Sequence, residues 1–475
     1  MASKTYTIGS ILSILAIIVA YFYKCNLDEQ LKEHLDNVLK SLLKVEKKFQ
    51  ITPKTKVALG LGSCTDAFQD GIELLKRSGI EPPTETNHHS YISSKEGLAQ
   101  TFAYFFQYGA AAERYVSDKE LFKTLVQNSK GANTRWAMGG NAPAMARRMA
   151  LEGCDVLLGS RLSTKQMRDL GGDIQSVGKP LEDEDVHIIL EYDKGAKWGP
   201  YTSPRANRLI IHSDESNPTL EALEDFAAEL KAFNPAALVM GGLQMMDNYP
   251  FKQGEREERM MTLQRMLADT PMTIRSHFEM ASFTDEHLIE DVLKHVIPFI
   301  DSIGTNEQEL TNLYSILNYG NVTLVTQSYP RVASVLDQMR SIYNILSKTK
   351  ESDGQRKLTR LHVHTLAFQA ILTTHKSAWK NTMAAAAKSS LTAYRYVCGT
   401  KEIDIAKSRI LMDEGFSVSM EKNSRKVMFE ANRPVSCWDE SDYQICIAPV
   451  LVCTEVRQTA GGGDNVSAAG LTMQI

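Results

Sequence analysis

The 475 residues, 43% hydrophobic and 23% charged, have ordinary globular composition and length for one large core plus a smaller attached domain, which excludes a disordered or fibrous protein. A formal net charge of −4 with no long basic or acidic run argues against nucleic acid as a partner. The seven cysteines (25, 64, 154, 398, 437, 446, 453) show neither CxxC spacing nor scaffold density, so no metal cluster follows; Cys446 and Cys453 read as buried thiols, or in a lumenal domain as candidates for one disulfide whose pair the sequence does not choose.

In chain order, Thr7 to Tyr23 carries no charge and is bracketed by Lys4 and Lys24. The run sits at the short edge for a spanning helix and fits a signal-peptide core extended into an anchor. Ala20 is the candidate cleavage residue, with Ile18 a poor match two positions earlier. Residues 1–25 are therefore expected to be an uncleaved endoplasmic-reticulum anchor, ahead of a cleaved signal (a secreted protein) or a buried helix. Leu27, Leu31, Leu35, Leu39 and Leu42 recur at helical spacing among charged residues, so residues 26–52 read as an amphipathic stalk helix that Pro53 ends.

The first core strand is expected at Val57 to Gly62. Short apolar strands follow at Val186 to Tyr192, Arg208 to His212, Ala236 to Gly241, Met272 to Ser276, Ile297 to Ile303, Val322 to Thr326 and Leu361 to Thr365. Between them, stretches such as Leu220 to Phe233 and Ser334 to Leu346 have helical periodicity. Such alternation predicts a layered α/β fold with a largely parallel sheet, whose ligands sit at the carboxyl ends of strands. Asn321-Val322-Thr323 is a glycosylation sequon usable in a lumenal domain, whereas Asn465-Val466-Ser467 adjoins the glycine-rich segment below and is expected to be inaccessible.

Thr459-Ala460-Gly461-Gly462-Gly463-Asp464 precedes a segment able to start a helix. Consecutive glycines let backbone N–H groups converge, and a helix amino end adds positive partial charge, which makes an anion hole. A carboxylate beside it makes sense if Asp464 takes the proton of an attacking hydroxyl while the N–H groups hold the developing charge on a phosphoryl group. The alternative is a flexible turn ending at an N-cap Asp. Gly139-Gly140-Asn141 read alone is a turn, and Asp66 could be an N-cap for a helix starting at Ala67.

The segment Gly461, Gly463, Asp464 resembles the signature of ribokinase-like sugar kinases, in which Gly139, Gly140, Asn141 and Asp66 resemble the sugar-binding positions. A finer resemblance, to the ADP-dependent sugar kinases and among them the animal ADP-dependent glucokinases, covers Val57 to Leu471. It rests on the joint order of Gly109-Ala110-Ala111-Ala112-Glu113-Arg114, Ile189-Leu190-Glu191-Tyr192, Pro204-Arg205-Ala206-Asn207-Arg208, His277-Phe278-Glu279, Asn306-Glu307-Gln308-Glu309-Leu310 and His362-Val363-His364-Thr365-Leu366.

The resemblance implies an α/β/α large domain over residues 53–475 with a smaller β-rich lid inserted roughly within 82–215. It implies a monomer that binds D-glucose and ADP, with Asp464 as base and Glu113 accepting hydrogen bonds from sugar hydroxyls. Glu279, Asn306 and Glu309 would organise one Mg²⁺, largely through water, as a diphosphate requires. Glu309 read alone is a capping-box partner. Arg205 and Gly461, Gly462 and Gly463 would face phosphate, and His364 with Val450 would line the adenine cleft. Gln458 departs from the Asp common in ATP-using ribokinases, which weakens analogy to that branch. Rival expectations are an ADP-dependent phosphofructokinase, an ATP-dependent sugar kinase of the same fold, and a membrane-tethered sensor that needs no base.

Overall fold

The computed structural model describes residues 2–131, 133–322, 329–348 and 354–475, residues 2–14 by their backbone alone. Lys56–Gly60 (β1) is buried at every residue after the first, as the central strand of a sheet covered on both faces must be. The chain leaves it for Cys64–Asp70 (β2), Ala112–Tyr115 (β3) and Arg135–Gly139 (β4), returns through Asp155–Gly159 (β5) and Ile174–Val177 (β6), and departs again for Val186–Tyr192 (β7) and Asn207–His212 (β8). The remaining long strands are Ala237–Met240 (β9), Arg275–Glu279 (β10), Ser302–Thr305 (β11), Arg360–His364 (β12), Phe368–Thr374 (β13), Ser436–Asp439 (β14) and Tyr443–Pro449 (β15).

Ten strands form the large sheet in the order β14-β15-β13-β12-β11-β10-β9-β1-β5-β6. From β6 to β12 they run parallel, and β13, β15 and β14 complete one edge antiparallel. The period-2 alternation of strands separates two cores. Ala58, Leu157, Leu238 and Met240 pack toward the helices Leu223–Phe233, Glu255–Asp269, Glu286–His295 and Glu307–Tyr319. Val57, Leu59, Val156, Leu158 and Val239 pack on the opposite face toward Asn141–Leu151 and Gly462–Thr472. This is the α/β/α architecture expected from the sequence.

A second, five-stranded sheet has the order β3-β8-β7-β2-β4 and its own core, built on Phe102, Phe105 and Phe106 of the helix Lys95–Tyr108. Its extent corrects the boundaries expected for the lid. The small sheet begins at Cys64 rather than near residue 82, because only Leu61 to Ser63 separate it from β1. Residues 155–177 belong to the large sheet, since the apolar β5 pairs directly with β1.

Two expected strands are displaced. Met272 to Ser276 gives way to β10, because Ile274 N–H turns back to the Pro271 carbonyl at 2.9 Å. Ile297–Phe299 is a single 3₁₀ turn around Pro298, and β11 starts after it. The strand expected over Val322 to Thr326, and with it the Thr323 of the Asn321 sequon, lies outside the described residues beyond Val322.

Ala2–Lys48 is one continuous helix. Along it Leu27 and Leu31 are exposed, whereas Leu35, Val38, Leu39 and Leu42 are buried in the large core, so from Leu35 onward the helix packs on the domain rather than standing off it. Glu46 fastens it, pairing with Arg395 at 2.7 Å and with Lys388 at 3.1 Å, and Lys388 in turn reaches Glu152 at 2.7 Å. Upstream, Leu15, Ile17, Val19, Tyr21, Phe22 and Tyr23 are exposed. Among the described residues no helix is long and apolar enough to cross a membrane. The cysteines also correct expectation: Cys398 pairs with Cys453 and Cys437 with Cys446, the latter directly opposite each other on β14 and β15.

Candidate active site

In the large sheet β1 lies between β5, which the chain visits next, and β9, from which it builds the other side. Connections therefore depart to opposite sides there, which opens a crevice at the carboxyl ends of the strands. A cavity of about 450 Å³ occupies it, within the range of small-molecule sites. Its floor carries Glu279 from the end of β10, Asn306 after β11, His364 from the end of β12 and Gly140–Asn141 after β4; the start of the helix Gly462–Thr472 forms one wall. The small sheet supplies the roof, with Asp66, Glu113, His187, Ile189, Arg208 and Ile210.

Asp464 is not a helix cap. Gly461, at a φ of 70° open to glycine, is the N-cap, and Asp464 is the third residue of the helix. The side chain of Asp464 instead accepts a hydrogen bond from Asn141 Nδ2 at 2.8 Å. Asn141 is oriented in turn by Gln244, whose Nε2 donates to Asn141 Oδ1 at 2.8 Å, so the amide must present its N–H face to the carboxylate. Burial, with the nearby Glu279 charge, raises the Asp464 carboxyl to about 6. In the first helical turn the N–H of Gly462 is taken by the Thr459 carbonyl at 3.1 Å, so the amides of Gly463 and Asp464 remain to face an anion. This narrows the glycine set expected to bind phosphate.

Glu279 is fully buried and accepts on both oxygens: Oε2 from His277 Nε2 at 3.0 Å and Ser467 Oγ at 2.5 Å, Oε1 from His364 Nε2 at 2.9 Å. Burial opposes its charge, but the donors from His277 and His364 hold the carboxyl well below the usual range. Asn306 and Glu309 form the capping box of the helix Glu307–Tyr319: Glu309 Oε2 accepts from Asn306 N–H at 2.8 Å and Oε1 from Asn306 Nδ2 at 2.7 Å. Burial pushes Glu309 up to about 8.

These groups face one cavity with hard oxygen donors, the type Mg²⁺ prefers. Each of these side-chain oxygens is already engaged by a protein donor: Glu279 Oε2 and Asn306 Oδ1 accept two each, whereas Glu279 Oε1 and both Glu309 oxygens accept one and keep a lone pair. The donor set therefore fits a divalent cation held through water rather than by direct ligation.

At the opposite end of the cavity, Asp66 on β2 and Glu113 on β3 present carboxylates. Asp66 lies within a strand, so the alternative of a cap at Ala67 is excluded. Burial raises its carboxyl, partly offset by His187. Arg114 points away from the cavity, as strand alternation requires, and donates to the carbonyls of His89 and Glu113, both at 2.7 Å.

Gly139 is needed for space, because a Cβ there would fall on the Asp66 carboxylate. The same holds for Gly304, whose Cβ would meet the Glu279 carboxylate, and for Gly463, whose Cβ would lie 2.8 Å from His364 Cε1.

Two expected residues do not line this cavity. Arg205 stands in the loop before β8 with its Nε bound to the Gly109 carbonyl at 2.5 Å, and its charge is felt by Glu307 at the start of the Glu307–Tyr319 helix. Val450 is buried core in the turn after β15, its N–H bound to the Ala367 carbonyl at 2.9 Å. His364 does line the cavity, but as the partner of Glu279. Residues the sequence reading did not single out as site residues are His187, Arg208, Gln244, Tyr396 and Ser467. The strand alternation from His187 to Tyr192 could have placed His187 on the same face as Ile189, toward the cavity.

Comparisons with known proteins identify the family and the fold. Residues 55–473 match the model of the ADP-specific phosphofructokinase/glucokinase conserved region. The chain belongs to that family. It is 32% identical to the ADP-dependent glucokinase of Bos taurus over 422 residues, covering 88% of this chain and 84% of that protein. It is 30% identical over 482 residues to a "Probable ADP-dependent glucokinase" of Caenorhabditis elegans, covering 97% and 93%. Among solved structures, an ADP-dependent kinase in complex with fructose-6-phosphate and ADPβS superposes with a TM-score of 0.67 at 17% identity, over 92% of this chain and 97% of that one. That last likeness shows the fold. In this ADP-specific phosphofructokinase/glucokinase family member the α/β/α sheet and the β-rich second sheet are thus the family's fold, and its members are phosphotransferases with an alcohol acceptor.

Proposed function

We propose that this chain transfers the terminal phosphoryl group of ADP to the 6-hydroxyl of D-glucose, giving AMP and glucose 6-phosphate. The observation that carries the reading is the position of Asp464. It stands at the first turn of the glycine-rich helix, held by Asn141, in the same cavity as the sugar-facing carboxylates Asp66 and Glu113. The hydroxyl would give its proton to a carboxylate oxygen of Asp464. The amides of Gly463 and Asp464 would take up charge on the moving phosphoryl group, preorganised by the helix start. Mg²⁺, held through water by Glu279, Asn306 and Glu309, would supply neutralisation of the diphosphate. Movement of the small sheet toward the large one would exclude water from the transfer.

Glucose as acceptor is supported by Glu113, a carboxylate able to take hydrogen bonds from two sugar hydroxyls. Glu113→Ala is expected to weaken glucose binding by about 1.5–3 kcal/mol while ADP binding stays nearly intact. Calorimetric titration checks this, and unchanged glucose affinity would remove Glu113 from the site.

We also propose that the amino-terminal segment directs the enzyme to the endoplasmic reticulum and keeps it at the membrane with a lumenal kinase domain. Support comes from the exposed apolar residues between Leu15 and Tyr23, and from two disulfides, which persist in oxidising compartments. Microsomal fractionation with alkaline extraction tests it. Recovery in the membrane pellet is expected, release into the lumenal supernatant would refute anchoring, and recovery in the cytosol would refute targeting.

A further inference from the structure

Behind the sugar-facing wall lies a carboxylate that reaches the cavity only through another side chain. Asp214 follows β8 in the crossover that returns from the small sheet to the large one, and its side chain is fully buried. Both of its oxygens lie 3.0 Å from His187 Nε2. Oδ2 also accepts from Asn217 Nδ2 at 2.8 Å. Asn217 in turn grips Ser63, donating to its carbonyl at 2.8 Å and accepting from its N–H at 3.1 Å. Ser63 sits in the short link between β1 and β2, so Asp214 is pinned to one crossover between the sheets while it belongs to another.

His187 lines the cavity beside Asp66 and Glu113, and its second nitrogen, Nδ1, lies 3.5 Å from Glu113 Oε1. A neutral imidazole carries one N–H, and a carboxylate only accepts. With Asp214 hydrogen-bonded at Nε2 and the Glu113 carboxylate 3.5 Å from Nδ1, the surroundings favour a proton on both nitrogens.

We infer that Asp214 is a positioning residue for the sugar subsite: it holds His187 as a doubly donating imidazolium, whose Nε2–H is bound to Asp214 and whose Nδ1–H faces and orients the Glu113 carboxylate. The inference rests on the glucose reading above.

The charges that face the ring agree with it. Cys64 and Asp66 approach from β2, Glu113 from β3, the His212 ring from β8 at 4.6 Å between centroids, and Asp185 and Asp214 from the flanking crossovers. Burial works against a charged ring, but the Asp214 carboxylate, followed by Glu113 and Asp66, raises His187 to about 10. Asp214 is likewise held well below the usual carboxylate range, burial being overcome by His187 and His212. The subsite therefore presents the acceptors Asp66 and Glu113, the latter oriented by a ring that stays charged at neutral pH, a pattern suited to the hydroxyls of a neutral polyol.

Two measurements test this on the full chain. In the wild-type protein labelled with ¹⁵N-histidine, the His187 resonances, assigned by their loss in His187→Gln, should show both ring nitrogens protonated from about pH 6 to 9. A single protonated nitrogen at neutral pH would overturn the proposal without any need for a folded Asp214 variant. In Asp214→Asn the glucose KM should rise by about tenfold to a hundredfold and climb further with pH between about 6 and 9, as His187 loses its proton. The wild-type glucose KM should stay flat over that range, and the variant's KM for ADP and its kcat at saturating glucose should change by less than about twofold. Normal wild-type turnover with an unaffected, pH-flat KM in Asp214→Asn overturns the positioning role alone. No wild-type turnover of glucose at all would sink the glucose reading, and this inference with it.

Discussion

At the scale of single residues, the account turns on what Asp464 does that Asn could not. Its position in the first turn is one where an acid gains from the unsatisfied N–H groups of the helix start, and where Asn costs little. Its side chain, however, is engaged by Asn141 and opens on the cavity rather than on the helix. Asp464→Asn is expected to lower kcat by about 10²–10⁴-fold while the melting temperature and the affinities for glucose and ADP are preserved. The pH dependence follows from the direction of the shift. A carboxyl raised to about 6 stays protonated, and so useless as a base, up to that pH. Wild-type kcat/KM should accordingly fall about tenfold per unit below about pH 6, a limb absent from the residual activity of Asp464→Asn. Near-wild-type kcat in the variant would remove the base.

At the scale of elements, the sequence was most legible where a single short segment carries its own chemistry. Gly461 to Asp464, Gly139 to Asn141, and the acids Glu279 and Glu309 all lie at carboxyl ends of strands or starts of helices, where a layered α/β fold puts its ligands. What was not legible depends on pairs far apart in the chain. Asn141 and Asp464 are 323 residues apart, and no local pattern says that one amide orients the other. His187 and Ser467 likewise acquire meaning only from partners on other elements. Strand limits slipped for a different reason: apolar residues in a turn, as from Ile297 to Phe299, have the same composition as a buried strand. Gly304 shows the limit most plainly, since its reason is the Glu279 carboxylate occupying the space of its missing Cβ.

The same reasoning makes Gly139 a test of how the elements fit. Gly139 ends β4 opposite Cys64 on β2, and a methyl there must displace the Asp66 carboxylate. Gly139→Ala is expected to raise the glucose KM, with a loss of stability of about 1–3 kcal/mol as in other overpacked sites. Steady-state kinetics and urea unfolding check both, and an unchanged glucose KM would mean that Asp66 has no part in holding the sugar.

At the scale of the whole molecule, two sheets share one cavity and, in the proposed reaction, would serve its opposite halves. The large sheet brings the glycine-rich helix start, Asp464 and the carboxylates suited to a hydrated cation, while the small sheet brings Asp66 and Glu113, the acceptors proposed for the sugar. The division explains why the chain crosses repeatedly between the sheets before residue 237, and why the crossovers are tied together by side chains such as Asn217. It also requires that nucleotide and sugar meet only in this cavity. The most direct measurement is to incubate the protein with Mg²⁺, glucose and ADP labelled in its β-phosphate, and to quantify the products. Equal amounts of AMP and labelled glucose 6-phosphate are predicted; turnover with ATP alone, or transfer to fructose 6-phosphate in place of glucose, would contradict the account.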